Sequence, residues 1–502
     1  MSTSLSRRAW LRQAALYTAS PMALNLLAMQ QAAAASTSGY KALVCVFLFG
    51  GNDACNTVLP LDAASWAAYE AARGGGSDPV ALAAPGTPAR PGASSVNARL
   101  GGVLPLEPVT ALPGGRQMAL HPVLGTVRDL FAARRLAVVS NVGALSQPLT
   151  KADWTAGRGS RPGRLFSHND QQAYWQSFGN EGSTQGWGGA FAARAGASNT
   201  HPGLAAIGVN GSAVWTSVAG LPGGQIAGTG PVRLGGAGET LLGSAATRQA
   251  LLAVASRQRG NGVLEGDLAA LTQRSVNSEA LLSAALPGLA AGPWSSAGAK
   301  TQAADPLLQC TDPLSGTAAF NPLAGQLQAV ARVIAARSAL GMGRQVFFVS
   351  LSGWDTHDDQ PSRHARLLAQ LSHGLGYFDR TLAQMGVDQS VTTFTASDFG
   401  RSFVSNGDGT DHGWGGHHFV MGGAVRGGEL YGSLPTYGPA LGNGEFDSTD
   451  QIQRGALLPS TGLASYAATL GRWFGLSDSE LLALLPALGN WPTTARRLAF
   501  LG

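Results

Sequence analysis

Val346-Phe347-Phe348-Val349-Ser350-Leu351-Ser352-Gly353-Trp354-Asp355-Thr356-His357 is an apolar run that ends at a glycine and delivers an acid and an imidazole two residues apart. Two other apolar runs each lead into an acid. Val391-Thr392-Thr393-Phe394-Thr395-Ala396 leads into Ser397-Asp398-Phe399-Gly400-Arg401, and the run from Ala42 to Phe49 leads into Gly50-Gly51-Asn52-Asp53. Runs without polar alternation are expected of strands buried on both faces, so the chain reads as α/β. In an open α/β sheet the ligand site lies just past the carboxyl ends of such strands, where these acids and histidines fall. A further cluster, Asp411-His412-Gly413-Trp414-Gly415-Gly416-His417-His418, follows closely. Carboxylates with imidazoles are the ligand set of zinc or manganese, with calcium or magnesium as the alternatives for an oxygen-rich site.

Working outward, Leu136 to Val142 is another buried-strand run and Phe419 to Val425 a further strand. Helical spacing predicts helices over His121–Arg135, Pro361–Met385, Gly462–Phe474 and Asp478–Leu485, the last capped by Ser477 with Glu480. Ala67 to Gly115, rich in Gly, Pro, Ala and Ser, reads as an irregular excursion. The stretch around 196–343 reads as a variable, mostly helical insertion, with helices near 241–257, 263–286 and 323–340. Ser167 has the residue type of an N-cap before His168-Asn169-Asp170, with Asp170 as a capping partner. A serine there also sits at the positive end of a helix dipole, where an attacking oxygen or bound anion is favoured. His364 and His373 read as ordinary helix histidines.

Composition narrows the partners. The chain has 502 residues, 44% of them apolar, and only 13% charged, enough for one large core. Ser6-Arg7-Arg8-Ala9-Trp10-Leu11-Arg12, a mildly apolar stretch to Met29 and Ala32-Ala33-Ala34-Ala35 match a twin-arginine signal peptide over 1–35. Export by that route to the periplasm or medium is therefore expected, with 36–502 as the mature domain and no stable membrane span after cleavage. Removing Arg7, Arg8 and Arg12 lowers the formal charge from +5 to +2, which gives no reason to expect a nucleic acid partner. Of the three cysteines, Cys45 reads as a core residue, and a bridge from it to Cys55 is conceivable.

The twin-arginine leader, Leu48-Phe49-Gly50-Gly51-Asn52-Asp53, Gly353-Trp354-Asp355-Thr356-His357, Ser397-Asp398-Phe399-Gly400-Arg401 and Asp411-His412-Gly413-Trp414-Gly415-Gly416-His417-His418 occur in an order that resembles the bacterial family catalogued as domain of unknown function 1501. That family is grouped with the alkaline phosphatase and sulfatase superfamily. The resemblance implies a doubly wound, mainly parallel sheet flanked by helices, with one or two divalent metals at its carboxyl edge. It implies Asp53, Asp355, His357, Asp398 and His412 as metal ligands and Ser167 as nucleophile, with Arg401 holding an anionic oxygen through bidentate hydrogen bonds. The superfamily commonly has His or Asn directly after the acid at Asp398. Here Phe399 stands there, so His168, Asp411 or His417 would have to substitute as a second-metal ligand. No Cys-x-Pro-Ser-Arg is present, which argues against a formylglycine sulfatase.

The implied chemistry is hydrolysis of a phosphate or sulfate ester, with attack by Ser167 or a metal-bound hydroxide. The alternative is a metal-stabilised, non-catalytic protein of the same fold that binds an envelope protein. A polymer-binding module built on the tryptophans is a third reading, weakened because Trp354 and Trp414 are embedded in the ligand clusters.

Overall fold

The apolar run at 42–48 is a strand whose side chains are at most 2% exposed. Burying each of its valines, leucines and phenylalanines is worth about 1.5–3 kcal/mol, so this segment is committed to the centre of whatever sheet forms. A computed structural model describes residues 39–76, 78–220, 223–232, 240–257, 260 and 262–502; the twin-arginine leader read at 1–35 lies outside them.

The described residues form a ten-stranded sheet: β1 (Lys41–Phe49), β2 (Leu136–Gly143), β3 (Ala206–Val209), β4 (Gly224–Ala227), β5 (Gly230–Pro231), β6 (Arg344–Ser352), β7 (Val391–Ser397), β8 (Gly416–Met421), β9 (Leu430–Tyr431) and β10 (Thr461–Gly462). The spatial order is β9-β2-β8-β7-β1-β6-β3-β4-β5, with β10 beside β2. β1 is parallel to both β6 and β7. β6 continues parallel to β3 and β3 to β4, whereas β8 is antiparallel to both β7 and β2. The sheet is therefore mixed and mostly parallel. Three adjacent strands, β6, β1 and β7, end on one edge, and their loops carry Asp355 and His357, Asp53, and Asp398.

The helices around the sheet include α1 (Ala63–Arg73), α2 (His168–Ser177), α3 (Trp187–Ala195), α4 (Val263–Ala285), α5 (Pro322–Ala335), α6 (Gln360–Gln384) and α7 (Leu463–Phe474), of which α1, α2 and α6 carry residues of the site. α5 and α6 pack together, and α3 packs with α7. Along α6 the stripe Leu367, Leu368, Leu371, Leu375, Phe378 and Leu382 is buried, as its spacing predicts. Ser477 and Glu480 form the expected capping box. Among the described residues no helix is long and apolar enough to cross a membrane.

Four expectations change. The segment read as irregular from Ala67 contains the end of α1, started by Asp62, whose side chain accepts from Ser65 N. The stretch around 196–343 supplies β3, β4 and β5, the last strands toward one edge of the main sheet, as well as helices, because its short apolar runs are long enough for short strands. The strand expected at Phe419–Val425 starts earlier, at Gly416, and stops at Met421, where Gly422 turns with φ +154°. Cys45, Cys55 and Cys310 are all free and buried.

The turn after β1 brings the β6 loop against the chain. Gly50 has φ +119°, and a Cβ there would lie 2.4 Å from Asp355 N; Gly51 has φ +88°, and its Cβ would lie 2.5 Å from the Phe399 ring. Gly50→Ala is expected to destabilise the fold by about 1–3 kcal/mol through backbone strain, read as a lower urea midpoint. An unchanged midpoint would show that the Asp355 loop yields freely.

Candidate metal centre

His168, the first residue of α2, is brought to the carboxyl edge of the sheet, beside the hairpin formed by Arg401–Ser405 and Thr410–His412. One ligand atom from each of His168, Asp355 and His412 lies within 4.8 Å of the others. His357 joins them: its Nε2 is 3.0 Å from His412 Nε2 and 3.0 Å from Asp355 Oδ1. His168 Nε2 lies 3.4 Å from Asp355 Oδ2, and His412 Nε2 lies 3.4 Å from Asp355 Oδ1.

The far side of each ring explains its orientation. His412 Nδ1 donates to the Phe166 carbonyl at 2.7 Å. His168 Nδ1 donates to Asp398 Oδ2 at 2.7 Å, and His357 Nδ1 donates to Asp411 Oδ1 at 3.2 Å. In the neutral imidazole, a proton on Nδ1 leaves a lone pair on Nε2. Three Nε2 lone pairs thus point toward one carboxylate, and two of them face each other at 3.0 Å, an arrangement that is repulsive without a proton or cation to share. His168 Nε2 is also buried without a hydrogen-bond partner. The hydrogen bond and charge of Asp398 raise the His168 pKa, whereas burial lowers that of His412.

This donor set fits a divalent metal. Asp355 lies 3.0–3.4 Å from each imidazole and His357 lies 3.0 Å from His412, separations that suit ligand atoms about 2.1 Å from one ion in an octahedral or tetrahedral arrangement. Imidazoles whose other nitrogen is fixed by a carboxylate or carbonyl are the usual surroundings of such a site. Asp355 and His357 are 43% and 41% exposed at their side chains, so the centre opens to solvent on one side. Closed sites are structural, and open ones leave room for water or substrate.

Of the ligands expected from sequence, Asp355, His357 and His412 come together, and His168 completes the set. The others do not face the centre. Asp53 is fully buried in an ion pair with Arg73, with Nη1–Oδ2 at 2.5 Å, and Gln360 Nε2 donates to the same Oδ2 at 2.6 Å. Its carboxylate is spent on these partners, which corrects the ligand role that the resemblance implies. Asp398 stands behind His168 and also accepts from Gln172 Nε2 at 2.8 Å. Asp411 stands behind His357 and pairs with Arg454 at 2.7 Å. His417 lies in β8, accepting from Asn141 N at 3.2 Å with Ser140 Oγ also at 3.2 Å. Burial pushes its pKa down to about 4. His418 packs on Trp175 and Tyr466, so neither histidine of that pair belongs to the cluster.

Ser167 and Arg401 also differ from expectation. The Ser167 hydroxyl donates to Asp170 Oδ2 at 2.7 Å and does not cap its helix. The Arg401 guanidinium is 0% exposed. It donates to Asp355 Oδ1 at 2.7 Å, to the Gly50 carbonyl at 3.3 Å, and to the carbonyl of Thr410. A fork so enclosed has no face for an anion, and it holds Asp355 in place instead. Phe399, at the position where the resemblance implies a second-metal ligand, packs on the rings of His168 and His412 with centroids 4.9 and 4.7 Å away.

Arg73, Gln172 and Gln360 escaped sequence reading. Asp62 as an N-cap could have revealed α1 and hence Arg73; the two glutamines carry no motif.

A family model described as protein of unknown function (DUF1501) matches residues 271–485. That span includes Asp355, His357, Asp398 and His412, whereas His168 and Asp53 lie before it. No curated protein matches the chain.

Proposed function

We propose that this protein is an exported, metal-dependent hydrolase of alkaline phosphatase-like fold that acts on a phosphate or sulfate ester. The observation that carries the reading is the convergence of three oriented imidazoles on Asp355 at a solvent-open rim. A divalent ion held by His168, Asp355, His357 and His412 would supply Lewis-acid polarisation of the ester and neutralise its charge. The chain's own contribution is orientation: Asp398, Asp411 and the Phe166 carbonyl hold the Nδ1 protons, and Arg401 holds the carboxylate. Ser167 is the attacking group to test, since Asp170 lies at 2.7 Å where a base would accept its proton.

The zinc- or manganese-loaded protein is expected to hydrolyse an aryl phosphate or aryl sulfate, and Ser167→Ala to lower kcat by at least about 100-fold, in line with loss of a nucleophile. Activity unchanged in Ser167→Ala would pass the attacking role to water. Two observations favour a second reading, a metal-stabilised binding protein: Phe399 stands where the resemblance implies a second-metal ligand, and Arg401 is withdrawn from any substrate. In that case metal would raise the melting temperature while neither ester turned over.

A further inference from the structure

Gln360 joins the loop just before it to one 50 residues further along the chain. Its side-chain oxygen Oε1 accepts from Thr356 Oγ1 at 3.1 Å and from Thr410 Oγ1 at 2.5 Å. Its Nε2 donates to Asp53 Oδ2 at 2.6 Å. Thr356 lies between the candidate ligands Asp355 and His357, and Thr410 lies two residues before His412. The amide thus uses its acceptor to hold both ligand-bearing loops and its donor to tie them to the buried Asp53–Arg73 pair.

The surroundings show that the two loops are packed as one body. Thr410 N donates to the Thr356 carbonyl at 3.1 Å, and Gln360 N donates to the Asp408 carbonyl at 2.9 Å. A Cβ on Gly409 would lie 2.2 Å from the His357 carbonyl. Asp53, Thr356, Gln360 and Thr410 are each 0% exposed, so water cannot replace a lost member of the set. A buried amide that meets all of its neighbours fixes a geometry, whereas a half-satisfied one costs free energy.

We propose that Gln360, anchored by Asp53, is a positioning residue of the metal centre: beside Arg401, which joins Asp355 to the Thr410 carbonyl, it fixes the separation of the Asp355–His357 loop from the His412 loop and so tunes metal affinity. The inference rests on the metal-centre reading above. It gives Asp53 a role in the site without contact to the ion, and it explains why an acid at the end of β1 lies near the cluster yet faces Arg73.

Gln360→Leu keeps the bulk and removes both functions of the amide. Zinc affinity, measured on the folded full chain by competition with a chromophoric chelator, is expected to fall about 10- to 100-fold, the usual result of losing a group that orients a ligand. In the metal-free protein, deuterium uptake of the segments around 355–357 and 410–412 is expected to rise together, with β1 unchanged. Thr356→Val severs one arm and is expected to weaken zinc less than Gln360→Leu; it also serves if Gln360→Leu fails to fold. Wild-type zinc affinity in both variants would overturn the proposal, as would a rise in exchange spread evenly over the chain. If the wild-type chain took up no zinc, the metal-centre reading would fail, and joint or independent exchange of the two loops would still decide whether Gln360 clips them.

Discussion

Arg73→Met is expected to destabilise the protein by about 3–5 kcal/mol at pH 7, the cost of removing one partner from a buried ion pair. Both side chains of the pair are 0% exposed. Arg73 uses all five of its N–H donors: Nε to the Phe403 carbonyl, Nη1 to Asp53 Oδ2 and Asn56 Oδ1, and Nη2 to Asp53 Oδ1 and the Ser402 carbonyl. Methionine fills part of the space and satisfies none of these acceptors. The remaining carboxylate would then keep only Gln360 and the Cys55 N–H, at 3.1 Å. Replacing both charges, as in Arg73→Met with Asp53→Leu, is expected to cost much less than either single change, because no buried charge is left alone.

The pH dependence follows from the same pair. Burial pushes the Asp53 carboxyl up, but the charge and hydrogen bonds of Arg73 outweigh it and hold the pKa below the ordinary value. A depressed folded-state pKa gives stability that is fully present above the unfolded value of about 3.9 and is lost as the pH falls through the folded one. Without Arg73 burial is opposed only by the weaker contributions of Gln360, Cys55 N–H and His364, and the folded pKa is expected to rise above the unfolded value, so the penalty in the variant grows with rising pH and shrinks toward pH 4. Urea unfolding at pH 7 and pH 4 tests both points. A loss of under 1 kcal/mol, or an equal loss at both pH values, would show that the pair contributes little.

How much of this could be read from the chain depends on how local the signal was. β1, β2, β6 and β7 were legible because each carries a run of apolar or β-branched residues with no charge at its centre, a pattern contained within a few residues. Their carboxyl ends therefore located Asp355, His357 and Asp398, while the Asp411–His412 pair showed as a separate acid and histidine cluster that a hairpin brings to the same edge. The division of labour among them was not legible. Whether an acid touches the centre or stands behind a histidine depends on the ring orientations, which long-range contacts set: Asp398 is 230 residues from His168, and Asp411 is 54 from His357. Asp53 misled for the same reason. Its partner Arg73 lies in a Gly- and Ala-rich stretch whose composition masks α1, and an ion pair between two buried groups has no periodicity to betray it.

Asp355→Ala is expected to have the largest effect on the centre itself, lowering zinc or manganese affinity by at least about 100-fold, beyond what loss of an outer group such as Asp398 or Asp411 causes. Asp355 is the one acid that meets all three imidazoles, at 3.0–3.4 Å, and the one negative charge that faces a dication directly. Its removal also frees Arg401, whose Nη1 lies 2.7 Å from Asp355 Oδ1, the oxygen that His357 and His412 face. A buried guanidinium left beside three imidazoles would repel the ion that they are arranged to hold. Asp398→Asn separates orientation from charge. An asparagine can still accept from His168 Nδ1 through its oxygen, so the expected loss is about tenfold, at the lower end of the outer-shell range. Isothermal titration of the metal-free chain with zinc measures both variants on one scale. If Asp355→Ala bound zinc as tightly as wild type, the three imidazoles would be a hydrogen-bonded cluster only, and the convergence of their Nε2 atoms would need a proton shared between His357 and His412 in place of an ion.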